Sequence, residues 1–195
     1  MTSDVLRIDH PDLPRRVEAV LETGGIVIFP TDTIYGIGGN PWDQGVLDRV
    51  RRLKERSVDQ PFTLHLPSVS AVDEYARLDS VARRRVELLL PGAYTLLLPA
   101  KPAAPDSAVL EGVVGIRVPD HPFFEGVLAP IGRPLFGTSV NRSGEPPLRT
   151  VDDILDCFPS VDLIIVGSVG TAESTILDLT VEPPRLIRGT LPDGL

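Results

Sequence analysis

Hydroxyl-bearing and cationic side chains dominate the segments of this sequence that could do chemistry. Pro30-Thr31-Asp32-Thr33-Ile34-Tyr35-Gly36-Ile37-Gly38-Gly39 follows directly on the apolar run Ile26-Val27-Ile28-Phe29. Ligands of open α/β sheets sit just past strand ends, and Thr31 and Thr33 offer hydroxyls there, while the glycines let backbone approach a ligand. The segment matches neither G-x-G-x-x-G nor G-x-x-x-x-G-K-[ST], so no dinucleotide or P-loop site is expected. An ordinary strand–turn connection is the plain alternative. Arg49, Arg51, Arg52, Lys54 and Arg56 crowd five cations into eight positions. The dipole of a helix C-terminus favours cations, and that alone accounts for many such clusters. Arg forks and a Lys point charge also suit a polyphosphate clamp.

The stretch Val113 to Val118 puts Val114, Ile116 and Val118 on one face and Val113, Gly115 and Arg117 on the other. A charge on so apolar a strand needs a partner. An acidic side chain and a substrate carboxylate both meet that need. His65 shares a face with Thr63, opposite Leu64 and Leu66. Nothing spaces His10, His65 and His121 as metal ligands. The segment 137–144 is dense in hydroxyls and amides, and Glu173 to Asp178 and Arg188-Gly189 complete the candidates. There is no G-x-S-x-G elbow and no supported Cys/His pair. The inventory suits a site that aligns two substrates so that one attacks the other.

Those residues need elements to hold them. Leu13, Val17, Val20 and Leu21 form one stripe, predicting a helix over 12–22 that Gly24-Gly25 stops. Further helices are predicted over 43–53, capped by Asp43, over 80–90, over 122–130 and over 150–157, capped by Thr150. Strands are predicted at 26–29, 61–66, 95–98, 113–118, 134–139, 163–166, 176–179 and 186–188. The alternation points to an α/β fold, a mixed sheet covered by helices, with no linker dividing the chain.

Composition sets the outer limits. The chain has 195 residues, 42% hydrophobic and 24% charged, enough for a packed core in one domain, 1–195. Lys and Arg number 19 against 27 Asp and Glu, a net charge of −8. That balance argues against a broad basic nucleic-acid surface but allows a local cationic site. Cys157 is the only cysteine, so neither an intramolecular disulfide nor a cysteine zinc site is expected; it reads as a small apolar residue. No apolar run has the length of a membrane span, and Met1 to His10 lacks the pattern of a signal peptide. A reducing, cytoplasmic setting is expected.

Taken in order, several segments resemble the YrdC/TsaC family, the L-threonylcarbamoyladenylate synthases. They are Pro30 to Gly36, Lys54-x-Arg56, Pro61 to His65, Pro91-Gly92-Ala93-Tyr94-Thr95 and Arg117-Val118-Pro119, followed by Ser139-x-Asn141-x-Ser143-Gly144, Ser174-Thr175-Ile176-x-Asp178 and Arg188-Gly189. The resemblance runs from about Gly24 to Gly189 and matches the short form of the family. It implies a YrdC-like fold, also called double-stranded-RNA-binding: a twisted open sheet around a cationic central cavity. It implies an activity too, joining L-threonine, bicarbonate and ATP into threonylcarbamoyl-AMP and pyrophosphate for threonylcarbamoyl modification of tRNA, with the proteins of that transfer machinery as partners.

By position in the motifs, Lys54, Arg56 and Arg117 would serve catalysis. Lys54, Arg56, Gln60, Ser139, Asn141 and Arg188 would hold ATP. Thr33, His65, Arg117 and Ser174 would hold threonine, and Ser139 and Asn141 would contact Mg²⁺ through the nucleotide. Several positions depart from the pattern. Ser139-Val140-Asn141 stands for Ser-Ala-Asn, Ser57 to Pro61 differs from many synthases, and Arg188-Gly189-Thr190 lacks Arg-Pro-Gly. Pro91 to Thr95 is similar to the YciO branch, which implies an alternative, a paralogue that binds tRNA or double-stranded RNA without synthase activity. YciO-like chains tend to lack Lys-x-Arg and Asn-x-Ser-Gly, both present here. A carbamoyl-transfer domain of the HypF type usually belongs to a much longer chain.

Overall fold

Helices form where apolar stripes meet capping residues, as residues 3–192 show in a computed structural model. Met1, Thr2 and 193–195 lie outside the described residues, and with them the ends of the expected 1–195 domain and the start of the N-terminal segment read above. α1 (Leu13–Glu22) buries Leu13, Val17 and Leu21. α2 (Gln44–Lys54) starts at Asp43, whose side chain accepts the Val46 N–H. A short α3 (Val72–Tyr75) leads to α4 (Ser80–Leu89), where Asp79 accepts the N–H groups of Val81 and Ala82. The helix predicted over 122–130 is a π-helical stretch, Phe124–Leu128, running into α5 (Ala129–Ile131) and ending at Gly132 in the left-handed region. α6 (Val151–Cys157) has the expected Thr150 cap, which accepts the Asp153 N–H.

The strands are β1 (Asp4–Arg7), β2 (Val27–Phe29), β3 (Gly36–Gly39), β4 (Thr63–His65), β5 (Tyr94–Pro99), β6 (Val109–Leu110), β7 (Val113–Arg117), β8 (Leu135–Ser139), β9 (Leu163–Val166), β10 (Thr175–Asp178) and β11 (Arg185–Arg188). They form one mixed sheet in the order β1-β9-β2-β3-β8-β4-β7-β5-β10-β11, with β6 on β7. A sheet this wide must twist and curl rather than lie flat. The expected twisted open mixed sheet is therefore the one observed.

Strand alternation assigns the faces. Val114, Ile116, Leu96, Leu98, Leu64 and Leu177 pack into one core under α3 and α4. Ile28, Ile37 and Phe136 pack into another under α2 and α6. Val27 and Phe29 turn the opposite way, onto α1 and the π-helical stretch. Among the described residues, no helix is long and apolar enough to cross a membrane.

β3 departs from the sequence expectation, which reads this segment as a loop. Its four residues, Gly-Ile-Gly-Gly, are all buried. A Cβ on Gly38 would lie 1.7 Å from the Phe136 carbonyl oxygen, so the close approach of β3 and β8 admits no side chain there. Tertiary packing overrides the low strand propensity of glycine. β1, β6 and α3 also lie where no element is predicted, each being too short to show periodicity.

Candidate active site

The faces of β4, β5, β7, β8 and β10 that turn away from the apolar core open into a cavity of about 700 Å³. Thr63 and His65, Thr95 and Leu97, Gly115 and Arg117, Gly137 and Ser139, and Ile176 and Asp178 reach it. The 31–36 segment closes one side and β11 another. Apolar side chains in the wall, Leu97, Leu110, Val113 and Ile187, are interspersed with hydroxyls, His65, Arg56 and Arg117.

The Thr31 hydroxyl donates to the Ile34 carbonyl, 2.7 Å away. It also accepts the Thr33 N–H and lies 2.9 Å from the Thr33 hydroxyl. With its one proton committed to Ile34, Thr31 must accept from the Thr33 hydroxyl as well. Thr33 therefore presents lone pairs, not a proton, to the cavity.

His65 reaches the same end. Its Nδ1 lies 3.2 Å from the Thr63 carbonyl oxygen, which can only accept, so Nδ1 carries the proton and Nε2 keeps a lone pair. Burial, reinforced by the Arg117 charge, pushes its pKa down to about 3, so the ring is neutral and a weak base. A Cβ on Gly137 would fall 2.8 Å from this ring, and only glycine there leaves it room.

Arg117 is 5% exposed and stands beside His65 in the β4–β7 register. Its Nη2 pairs with Asp32 Oδ1, while Asp32 Oδ2 accepts the Asp120 N–H. The acidic side chain of the two admissible partners is thus present, supplied by the 30–36 segment. Arg117 Nε is buried with no partner. Burial lowers the Arg117 pKa, and Asp32 opposes the shift.

Arg56 follows the left-handed Glu55 that ends α2. Its Nη2 donates to the Pro61 carbonyl at 2.9 Å, its charge lies 5.3 Å from the centre of the Phe62 ring, and its buried Nε has no partner. Burial lowers its pKa too, helped by Arg51.

Lys54, Gln60 and Asn141 are not on the cavity wall. Lys54 is 1% exposed, and its ammonium donates to the Ser139 carbonyl, to the Asn141 carbonyl at 2.7 Å and to Asn141 Oδ1 at 2.9 Å. Those three bonds use all its hydrogens. Burial and the Arg56 charge lower its pKa to about 7. Asn141 Oδ1 also accepts the Ser139 hydroxyl at 2.6 Å, and its Nδ2 donates to the carbonyls of Arg142 and Glu145. Gln60 is exposed on the loop beyond Arg56.

The remaining candidates do meet. Ser174 shares a hydrogen bond with Thr95, and Arg188 donates to the Ser174 carbonyl and hydroxyl and to Glu173. Arg185 pairs with Asp178 across the same wall. Four arginines and three carboxylates line the cavity, and Asp32 behind Arg117 brings the carboxylates to four, so positive charge is local to Arg56 and not a net excess. Arg56 alone of the four has no carboxylate partner among the described residues. Ser139 and Asn141 do not fit a resident metal, because the Lys54 ammonium already holds Asn141 Oδ1. No group of three His, Cys, Asp or Glu suited to a metal occurs among the described residues. Asp32 is the site residue to which sequence reasoning gave no role; its signal was an acid in the same hydroxyl-rich segment, available to a buried arginine.

The family model of Sua5, YciO and YrdC, described as telomere recombination, matches residues 19–190. The chain belongs to the Sua5/YciO/YrdC family. It is 30% identical to YciO of Escherichia coli K12, named as an uncharacterised protein, over 94% of each chain. The solved structure of E. coli YciO superposes with a TM-score of 0.87 at 28% identity, covering 99% of this chain and 98% of that one. The threonylcarbamoyl-AMP synthase of Bacillus subtilis is 31% identical over 99% of this chain and 56% of its own. Pyrococcus abyssi Sua5, solved with L-threonine, superposes with a TM-score of 0.84 at 28% identity, covering 96% of this chain and 57% of that one. The chain thus spans little more than half the length of these last two relatives.

Two outcomes follow from the site. Below its ordinary pKa of 6.5, His65 gains a proton in the unfolded chain, whereas the folded chain gains it only towards about 3. The unfolded state then binds more protons, and stability falls on acidification through that window. Urea midpoints between pH 6.5 and 5 should show the wild type losing on the order of 1 kcal/mol more than His65→Gln; equal losses would contradict a buried neutral imidazole. Lys54→Met should lower unfolding stability by about 1–3 kcal/mol, because the acceptors of the 139–141 loop lose their donor. A Lys54 serving only as a ligand contact would leave the urea midpoint unchanged.

Proposed function

We propose that this protein is a threonylcarbamoyl-AMP synthase, using L-threonine, bicarbonate and ATP and releasing pyrophosphate. The observation that carries this reading is the set of polar atoms at one end of the cavity. A buried guanidinium whose Nη1 makes no hydrogen bond among the described residues lines the same cavity as two acceptors, the Thr33 hydroxyl and His65 Nε2. Donors beside acceptors match the carboxylate and ammonium of an α-amino acid. Threonine bound to P. abyssi Sua5 and the name of the B. subtilis relative support the choice of amino acid and reaction.

In this scheme Arg117 takes the threonine carboxylate, while Thr33, His65 and Ser174 face its amine and hydroxyl. Arg56, with no carboxylate partner, meets the ATP phosphates, and Arg188 lies towards the nucleotide. Leu97, Leu110 and Ile187 offer the base an apolar surface. The amine and bicarbonate condense to a carbamate with loss of water. A carbamate oxygen then bonds to the α-phosphorus, and the bond from that phosphorus to the β-phosphate oxygen breaks, releasing pyrophosphate. Alignment and charge stabilisation are what the protein supplies. His65 is too weak a base to keep a proton and acts as a hydrogen-bond acceptor. Magnesium arrives as the counter-ion of ATP. Lys54 fixes Ser139 and Asn141 from behind the wall. A cytoplasmic place in tRNA modification, beside the proteins that use the product, follows from this reading.

The extended similarity to YciO favours a second reading, an RNA-binding protein without synthase activity. Against it, exposed arginines pair with acids: Arg7 with Asp9, Arg16 with Asp4, Arg83 with Asp73, Arg85 with Glu182. Such pairing breaks up the continuous positive surface that phosphate backbones need.

Pyrophosphate release decides between the two. Given ATP, Mg²⁺ and bicarbonate, the protein should release pyrophosphate only when L-threonine is added; threonine-independent or absent release would overturn the synthase reading. Arg56→Ala should weaken ATP binding by about 2 kcal/mol, from the loss of a charge-assisted phosphate contact.

A further inference from the structure

We infer that Asp32 is a positioning residue: it sets the orientation of the Arg117 guanidinium so that the free part of the fork receives the substrate carboxylate. The inference rests on the reading of Arg117 given above and adds the group that aims it. Arginine has five donors in a rigid planar fork, so fixing one nitrogen fixes the direction of the others. Asp32 Oδ1 holds Nη2, Nε is buried without a partner, and Nη1 makes no hydrogen bond among the described residues in a side chain that lines the cavity.

Asp32 is itself held from several directions. Its Oδ2 accepts the Asp120 N–H at 3.2 Å. Its carbonyl packs so closely on Gly170 that a Cβ there would stand 2.4 Å away. Thr31 and Ile34 on either side are joined by a 2.7 Å hydrogen bond. Both carboxylate oxygens are engaged, one by the arginine and one by backbone, so Asp32 acts on the substrate through Arg117 and not by contact. The same carboxylate makes burial of the arginine tolerable before substrate arrives, because an unpaired guanidinium in this sheet would be expelled or displaced. The arrangement is a receptor left half satisfied: one partner is built in and the other is the ligand.

The test compares wild type, Asp32→Ala and Asp32→Asn in threonine-dependent pyrophosphate release, with ATP affinity measured separately by calorimetry. Asp32→Ala should raise the KM for threonine tenfold or more and leave the Kd for ATP within about twofold. Asp32→Asn keeps the size and one acceptor for Nη2, and should recover part of that loss. A threonine KM unchanged in both variants overturns the role of Asp32 while leaving the synthase reading intact. An equal loss of ATP and threonine affinity in both variants also overturns it, because that is general damage to the site. Should Asp32→Ala fail to fold, Asp32→Asn alone decides, by whether its threonine KM rises with ATP affinity retained. A wild type that releases no pyrophosphate with threonine overturns the functional reading, and the role of Asp32 with it.

Discussion

A guanidinium buried in the middle of a sheet must be matched by something, and Arg117 organises much of the surrounding structure around that need. It closes β7, beside His65 of β4, with apolar residues filling the opposite face. One carboxylate meets it, from a segment that precedes it by 85 residues, and that contact ties the loop after β2 to the end of β7. The loop brings Thr31 and Thr33 with it. The neutral state of His65 comes first from its burial, and the Arg117 charge beside it adds to the effect. Donor and acceptor groups therefore divide between Arg117 on one side and Thr33 and His65 on the other, the division a zwitterionic amino acid requires.

The charge of the molecule follows a related logic. A net charge of −8 describes the exterior, where most arginines already have carboxylates beside them. Inside the cavity arginines and carboxylates balance once Asp32 is counted, and positive charge is local to Arg56, which has no carboxylate partner among the described residues. An acidic surface around a pocket with one unpaired arginine favours a small anion over a long polyanion. Lys54 shows how the local charge is also used for architecture: its ammonium binds three oxygens of the 139–141 loop and stays out of the cavity.

Much of this was legible in the chain. The alternation along Val113 to Val118 and Phe62 to Leu66 correctly divided core-facing from cavity-facing residues, because a strand's period is fixed by covalent geometry. The caps at Asp43 and Thr150 were legible for the same reason, being local hydrogen bonds. β3 was not, because glycines form a strand there only under pressure from Phe136 across the ladder, a contact some hundred residues away. The helix over 122–130 was legible, but its π-helical register at Phe124–Leu128, packed against α1, was not. Within the site, motif order located Thr33, His65, Arg56 and Arg117 on one cavity, but it could not separate a wall residue from a strut. Lys54 and Asn141 share a motif with wall residues and yet face each other behind it. Asp32 was visible in the sequence, but its use depends on which arginine the fold brings alongside.

The central claim is that the cavity receives an amino acid through its carboxylate at Arg117. Calorimetric titration of the wild type with L-threonine and with L-threoninamide tests it most directly, because the two ligands share the ammonium, hydroxyl and methyl groups and differ in the charge of the carboxyl. The account predicts that L-threonine binds at least about tenfold more tightly, a difference near 1.4 kcal/mol. Equal affinities would contradict it.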